Sequence, residues 1–74
     1  MRYRMSAVLK INGTEKTFDD GLPPTLSELL SKLQIDAATV VAEIDGEIIE
    51  RKNFAQTELK DQMGIELIRF VGGG

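Results

Sequence analysis

Apolar and polar residues alternate from the start of the chain. Met5, Ala7, Leu9 and Ile11 fall on one side, and Ser6, Lys10 and Asn12 on the other. A period of two is that of a half-buried strand. The run meets Asn12-Gly13, a pair that accepts the positive φ angles of a tight turn, and resumes in a shorter run centred on Thr17-Phe18. The opening unit is therefore expected to be a β-hairpin. Gly21 and Pro23-Pro24 then interrupt it, since proline lacks a ladder N–H and biases its predecessor away from helix. In the next stretch, TLSELLSKL, the period changes. Leu26, Leu29, Leu30 and Leu33 recur at i, i+3, i+4 and i+7, a stripe for one helix face, while Ser27, Glu28, Ser31 and Lys32 occupy the other. Thr25 and Glu28 have the spacing of a capping box, in which each side chain takes up a backbone N–H of the other.

Alternation returns near Thr39. Val40, Ala42 and Ile44 alternate with Val41 and Glu43 as far as Asp45-Gly46, and Ile48-Ile49 predict a brief return strand. Residues 50–64 are mostly polar and irregular, with Phe54 and Leu59 as anchors on the core through a short 3₁₀ turn. The final run, IELIRFV, places Ile65 and Leu67 on one face and Glu66, Ile68 and Phe70 on the other. A hairpin, one helix and two or three further strands, with the last strand beside the first, make an α+β chain of the β-grasp kind. The expectation is a mixed four- to five-stranded sheet with one main helix on one face and the other face open. It spans a domain of residues 1–71 and a flexible glycine tail, 72–74.

Composition narrows the chemistry. With 74 residues, no cysteine and no histidine, the chain has no thiolate nucleophile, no disulfide, no Cys/His metal set and none of the usual near-neutral general bases. A chain this short leaves little room for an enclosed active site. Nine basic against twelve acidic residues give a net charge of −3, with no cationic cluster beyond Arg51-Lys52, so a nucleic-acid partner is not expected. The carboxylates at Asp19-Asp20 and from Glu47 to Glu50 lack the alternating ligand spacing of a Ca²⁺ loop and read as solvated faces. Arg2 and Arg4 precede an apolar run that Lys10 ends after five residues, too short for a signal peptide or a membrane span. The expectation is a cytoplasmic protein with no membrane partner, starting at Met1 or at Met5.

The chain ends RFVGGG, residues Arg69 to Gly74. A phosphate-cradling loop would lead into a helix, and no helix follows these glycines. Taken with KING near the start, TLSELLSKL, VVAEIDGEIIERKNFAQTEL and GIELIRFVGGG, the tail closes a pattern that resembles the ThiS family of sulfur carriers of thiamine thiazole biosynthesis, within the ubiquitin-like superfamily. The resemblance covers nearly the whole chain. It departs at KDQMG, where a plainer Asp-Gly-Asp turn is expected, a difference confined to a loop.

The resemblance implies a protein that is itself no enzyme but a co-substrate. An E1-like, ThiF-like adenylating enzyme would use ATP and Mg²⁺ to activate the Gly74 carboxylate, a sulfur donor protein would supply the sulfur that replaces AMP, and a ThiG-like thiazole synthase would draw sulfur from the Gly74 thiocarboxylate. No cofactor or metal would be bound by the carrier. Gly72 and Gly73, lacking Cβ atoms, would thread a narrow channel in any φ/ψ the enzyme imposes. With Gly74 last in the chain, no protease would be needed.

Ile68 and Phe70, joined by Val8 and Val41, are expected to form an apolar docking patch on the open face beside the tail. Arg69 would pair with an acidic group of the partner or remain a solvated charge. Three alternatives stay open: a sister carrier serving molybdopterin, another metabolite or tRNA; a ubiquitin-like modifier joined through Gly74 to a lysine; and a binding module with an inert tail.

Overall fold

The computed structural model describes residues 6–70. The expectations for residues 1–5, Val71 and the tail Gly72, Gly73 and Gly74 lie outside the described residues. Within them the order is β1 (Ala7–Ile11), β2 (Thr14–Phe18), α1 (Leu26–Lys32), a 3₁₀ turn (Ala37–Thr39), β3 (Val40–Ile44), β4 (Glu47–Ile49), a 3₁₀ helix (Arg51–Gln56) and β5 (Met63–Arg69). The strands form one five-stranded sheet in the order β2-β1-β5-β3-β4. β1 and β5 run parallel at its centre and every other pair is antiparallel. This is the mixed sheet with one main helix that the sequence leads one to expect, at the upper end of the strand count.

Both hairpins turn where a positive φ is available. Asn12 and Gly13 adopt φ 53° and 82°, and Asp45 and Gly46 adopt 51° and 89°, the paired left-handed values that match the twist of the flanking strands. The last strand begins two residues earlier than the IELIRFV pattern implies. The reason lies in KDQMG, which does more than turn the chain. The Val8 N–H donates to Asp61 Oδ1 at 2.7 Å, and the Gln62 N–H donates to the Val8 carbonyl at 2.7 Å, so this stretch fastens the entry of β5 to β1. Gln62 takes φ 70° there, where a glycine would sit without strain.

One face of the sheet carries the core. Leu9, Phe18, Val40, Ala42, Ile44, Ile65 and Leu67 pack against Leu26, Leu29 and Leu30 of α1 and against Phe54 of the 3₁₀ helix, all of them buried. Leu33 and Leu59 pack on this cluster while half-buried. At the start of α1 the Glu28 N–H donates to Thr25 Oγ1 at 3.2 Å, which is one leg of the expected capping box. The return leg from Glu28 is not among the hydrogen bonds of the described residues. Tertiary bonds hold the helix start instead: the Leu26 N–H donates to the Thr57 carbonyl at 2.9 Å, and Thr25 bridges to Glu58.

α1 ends in a Schellman motif. The Ile35 N–H donates to the Leu30 carbonyl at 2.9 Å and the Gln34 N–H to the Ser31 carbonyl at 3.1 Å, which requires Gln34 at φ 61°. A side chain with a Cβ costs about 1 kcal/mol in that region, and a glycine returns part of this through its freer unfolded chain. Gln34→Gly is therefore expected to stabilise the domain by about 0.5–1 kcal/mol, read as a melting temperature higher by about 3–6 °C. A lower melting temperature would show that the Gln34 side chain contributes more than its backbone strain costs.

Candidate functional site

Among the described residues, no helix or strand covers the sheet face away from α1. Register decides what stands on it. Val41 is the cross-strand partner of Ile68, and both belong to the outward set of their strands, whose inward neighbours Val40, Ala42 and Leu67 are buried. Ile68 is 50% exposed and Phe70 is 52% exposed, large values for such side chains. Phe70 follows β5 directly, its N–H donating to the Thr39 carbonyl at 3.1 Å. Val41, Ile68 and Phe70 thus form one apolar patch at the end of β5 from which the chain runs toward the glycine tail.

Val8 is on the same face but not in this patch. The β1–β5 register sets it level with Gln62, about 20 Å along β5 from Ile68 at roughly 3.3 Å per residue. Arg69 is also set apart, because its cross-strand partner Val40 faces the core, which puts Arg69 on the helix side of the sheet at the strand's exposed end. Ile48, which sequence reasoning used only as part of a return strand, belongs to the open face. It is 67% exposed and pairs with Glu43. Counting outward from the Asp45-Gly46 turn was enough to find it.

The exit of β5 is braced by a residue that sequence reasoning treated only as a turn former. β1 pairs with β5 through Ile11 and Ile65, after which β1 turns away. The Asn12 carboxamide continues the ladder in its place. The Leu67 N–H donates to Asn12 Oδ1 at 2.7 Å, and Asn12 Nδ2 donates to the Leu67 carbonyl at 3.2 Å, while the Asn12 N–H donates to the Ile65 carbonyl at 2.8 Å. A planar side-chain amide offers the same donor and acceptor as a peptide unit, so β5 stays paired on both edges up to the patch. Only the β3 side continues beyond that point.

The remaining surface offers little to a small molecule. An open depression of about 430 Å³ lies beside Gly21 to Pro24 and the polar face of α1 at Glu28, Ser31 and Lys32. Among the described residues no group of three or more His, Cys, Asp or Glu is placed to hold a metal ion. No helix among them is long and apolar enough to cross a membrane.

Known proteins with this pattern point one way. The chain is 35% identical over 69 residues to the sulfur carrier protein ThiS of Bacillus subtilis, covering 90% of this chain and 100% of that protein. It is also 35% identical over 66 residues to a thiazole synthase of Paramagnetospirillum magneticum, where it spans 20% of the longer protein's length. The crystal structure of the thiamine biosynthesis protein ThiS from Geobacter metallireducens superimposes with a TM-score of 0.78 at 38% identity, covering 90% of this chain and 99% of that one. The family model described as the ThiS family matches residues 7–74, which takes in both the sheet and the three glycines. On that match, and on the shared ubiquitin-like β-grasp fold, the chain belongs to the ThiS family.

Proposed function

We infer that this chain is a sulfur carrier for thiazole formation in thiamine biosynthesis, and that Gly74 carries the sulfur as a thiocarboxylate. The observation that carries the reading is the joint match of fold and tail to the family, extending through residue 74. A carboxylate is a poor electrophile, so its oxygen has to become part of a leaving group before sulfur can replace it. An E1-like adenylating enzyme supplies this with ATP and Mg²⁺. A Gly74 carboxylate oxygen attacks the α-phosphorus, pyrophosphate departs, and the resulting acyl-adenylate is open to sulfur from a donor protein, with AMP leaving.

Apart from the Gly74 carboxylate that is itself activated, the chain contributes no acid, base or nucleophile to these steps. Its part is to dock and to present the terminus, for which the Val41, Ile68 and Phe70 patch gives a surface and the glycines give reach. Thiazole synthase is the consumer of the sulfur in this reading, supported by the likeness to a stretch of a protein that bears that name. The reading sets the chain in the cytoplasm, with those enzymes as partners.

The test is mass spectrometry of the intact chain after incubation with its adenylating enzyme, MgATP and a sulfur source. The expected product is heavier by one oxygen-to-sulfur exchange, located at Gly74 by fragmentation. An isopeptide-linked product at a lysine would move the chain to the modifiers, and an unchanged terminus would sink both readings.

A further inference from the structure

Asn12 is held by a distant strand and followed by the residue that most exposes it to chemical change. Its carboxamide closes the ladder beside β5, with Oδ1 accepting from the Leu67 N–H at 2.7 Å and Nδ2 donating to the Leu67 carbonyl at 3.2 Å. The next residue is Gly13, which has no Cβ to crowd its backbone nitrogen. The surroundings are equally open, since a Cβ built at Gly13 would meet nothing within 4 Å. Among the described residues, the Gly13 N–H donates to no turn or loop acceptor.

An asparagine in this setting can lose ammonia. The Gly13 nitrogen gives up its proton to solvent base and attacks Asn12 Cγ. The Cγ–Nδ2 bond breaks, ammonia departs with a proton taken back from water, and a cyclic succinimide joins the two residues. Water then opens the ring at either carbonyl. Opening at Cγ leaves an aspartate, and opening at the main-chain carbonyl leaves an isoaspartate, whose backbone runs through Cβ and Cγ. The net change is one water in and one ammonia out, with no oxidant, reductant or cofactor. The expelled atom, Nδ2, is the donor that holds the Leu67 carbonyl. The carboxamide must also release the Leu67 N–H before it can leave the neighbouring strand and fold back over its own peptide. The fold thus restrains a reaction that Asn12-Gly13 invites. Asn53, the other asparagine of the chain, lies in the 3₁₀ helix before the bulky, buried Phe54, where the same ring closure is hindered.

We propose that Asn12 is a site of deamidation gated by the β5 brace: the ring closes only when the carboxamide has let go of Leu67, and the product cannot close the brace again. The inference does not depend on what the tail carries. A carboxylate has acceptors and no donor. One oxygen of the new carboxylate still takes the Leu67 N–H, but the other is set against the Leu67 carbonyl where Nδ2 stood, two acceptors facing each other. An isoaspartate goes further, because its added backbone atom breaks the paired φ angles of 53° and 82° on which the two-residue hairpin depends. The Leu67 N–H exchanges with solvent through the same release of the carboxamide. Two unrelated reactions, loss of ammonia at Asn12 and amide exchange at Leu67, are therefore slowed by one equilibrium. The exit of β5 leads into the apolar patch, so a chain that has lost ammonia presents Ile68 and Phe70 on a looser strand.

The test incubates the full-length chain at neutral pH, folded and in urea, and follows the peptides that contain Asn12 and Asn53 by mass spectrometry. In urea, Asn12 is expected to gain the mass of an amide-to-acid exchange while Asn53 stays unchanged. In the folded chain the rate at Asn12 is expected to fall at least about tenfold, and by the same factor, within about threefold, as exchange of the Leu67 amide measured by NMR. Asn12→Asp reads the product, and its melting temperature is expected to be lower than the parent's by at least about 5 °C. Chains converted while folded and separated by their extra negative charge are expected to show the same fall, so the outcome does not hang on the variant folding. An Asn12 that stays intact in urea would overturn the site. Conversion as fast in the folded chain as in urea, or a slowing more than about tenfold away from the Leu67 protection, would overturn the gating by the brace. A melting temperature equal to the parent's for both the variant and the converted chain would show that the carboxylate still braces β5, and would overturn the claim that the brace is lost.

Discussion

Deleting Gly73 and Gly74 will abolish thiocarboxylate formation while leaving the melting temperature within about 1 °C of the parent. The two parts of this expectation have separate physical causes. The last described backbone bond is the one from the Phe70 N–H to the Thr39 carbonyl, and the core residues all precede it, so the removed glycines carry none of the described packing. The terminal carboxylate, however, retracts by about 7 Å at roughly 3.5 Å per residue. A misplacement of about 1 Å is able to cost a hundredfold in rate where the reacting atoms must meet within contact distance. No turnover is expected at that separation. Intact mass after incubation with the adenylating enzyme reads the first part and thermal unfolding reads the second. Sulfur retained on the shortened chain would mean that the reactive group is not at Gly74.

The second large effect is on stability, from Asn12→Gly. Glycine keeps the φ 53° turn without strain, so the substitution removes the carboxamide and little else. The Leu67 N–H and carbonyl, part-buried, lose their Asn12 partners at 2.7 and 3.2 Å. An unpaired buried backbone group costs about 1–3 kcal/mol, and partial access to water puts the pair at about 2–4 kcal/mol in total. A domain this small loses about 4–8 °C of melting temperature per kcal/mol, so a fall of about 10–25 °C is expected. Asn12→Ala should be worse by about 1 kcal/mol, since alanine is strained at positive φ. A fall of less than about 3 °C for Asn12→Gly would show that water replaces the carboxamide at the β5 edge.

What was legible in the sequence was what local physics controls. Asn12-Gly13 and Asp45-Gly46 mark hairpins because few other pairs tolerate their φ angles, and the leucine stripe of α1 follows from helical period alone. The alternation Ile65, Leu67 against Glu66, Ile68, Phe70 correctly separated the core face from the open one. What stayed hidden was set by pairing between distant segments. Alternation assigns Val8 to a face but not to a position along the neighbouring strand, and the β1–β5 register sets it far from Ile68. Asn12 acts on Leu67 and Asp61 on Val8, each across more than fifty residues. Nothing in either residue's neighbourhood in the chain signals that partner.

The parallel pairing of β1 and β5 at the sheet's centre also determines how the domain responds to force. The chain leaves toward its terminus from a middle strand, bonded to β1 and Asn12 on one edge and to β3 on the other. Ladder bonds run across the strands, so a pull on the terminus along β5 loads them in shear and many must break together. A terminus leaving from an edge strand at right angles would instead open its bonds one at a time. In the carrier reading, a partner enzyme that pulled on the last residues would therefore meet the body of the domain as a rigid stop.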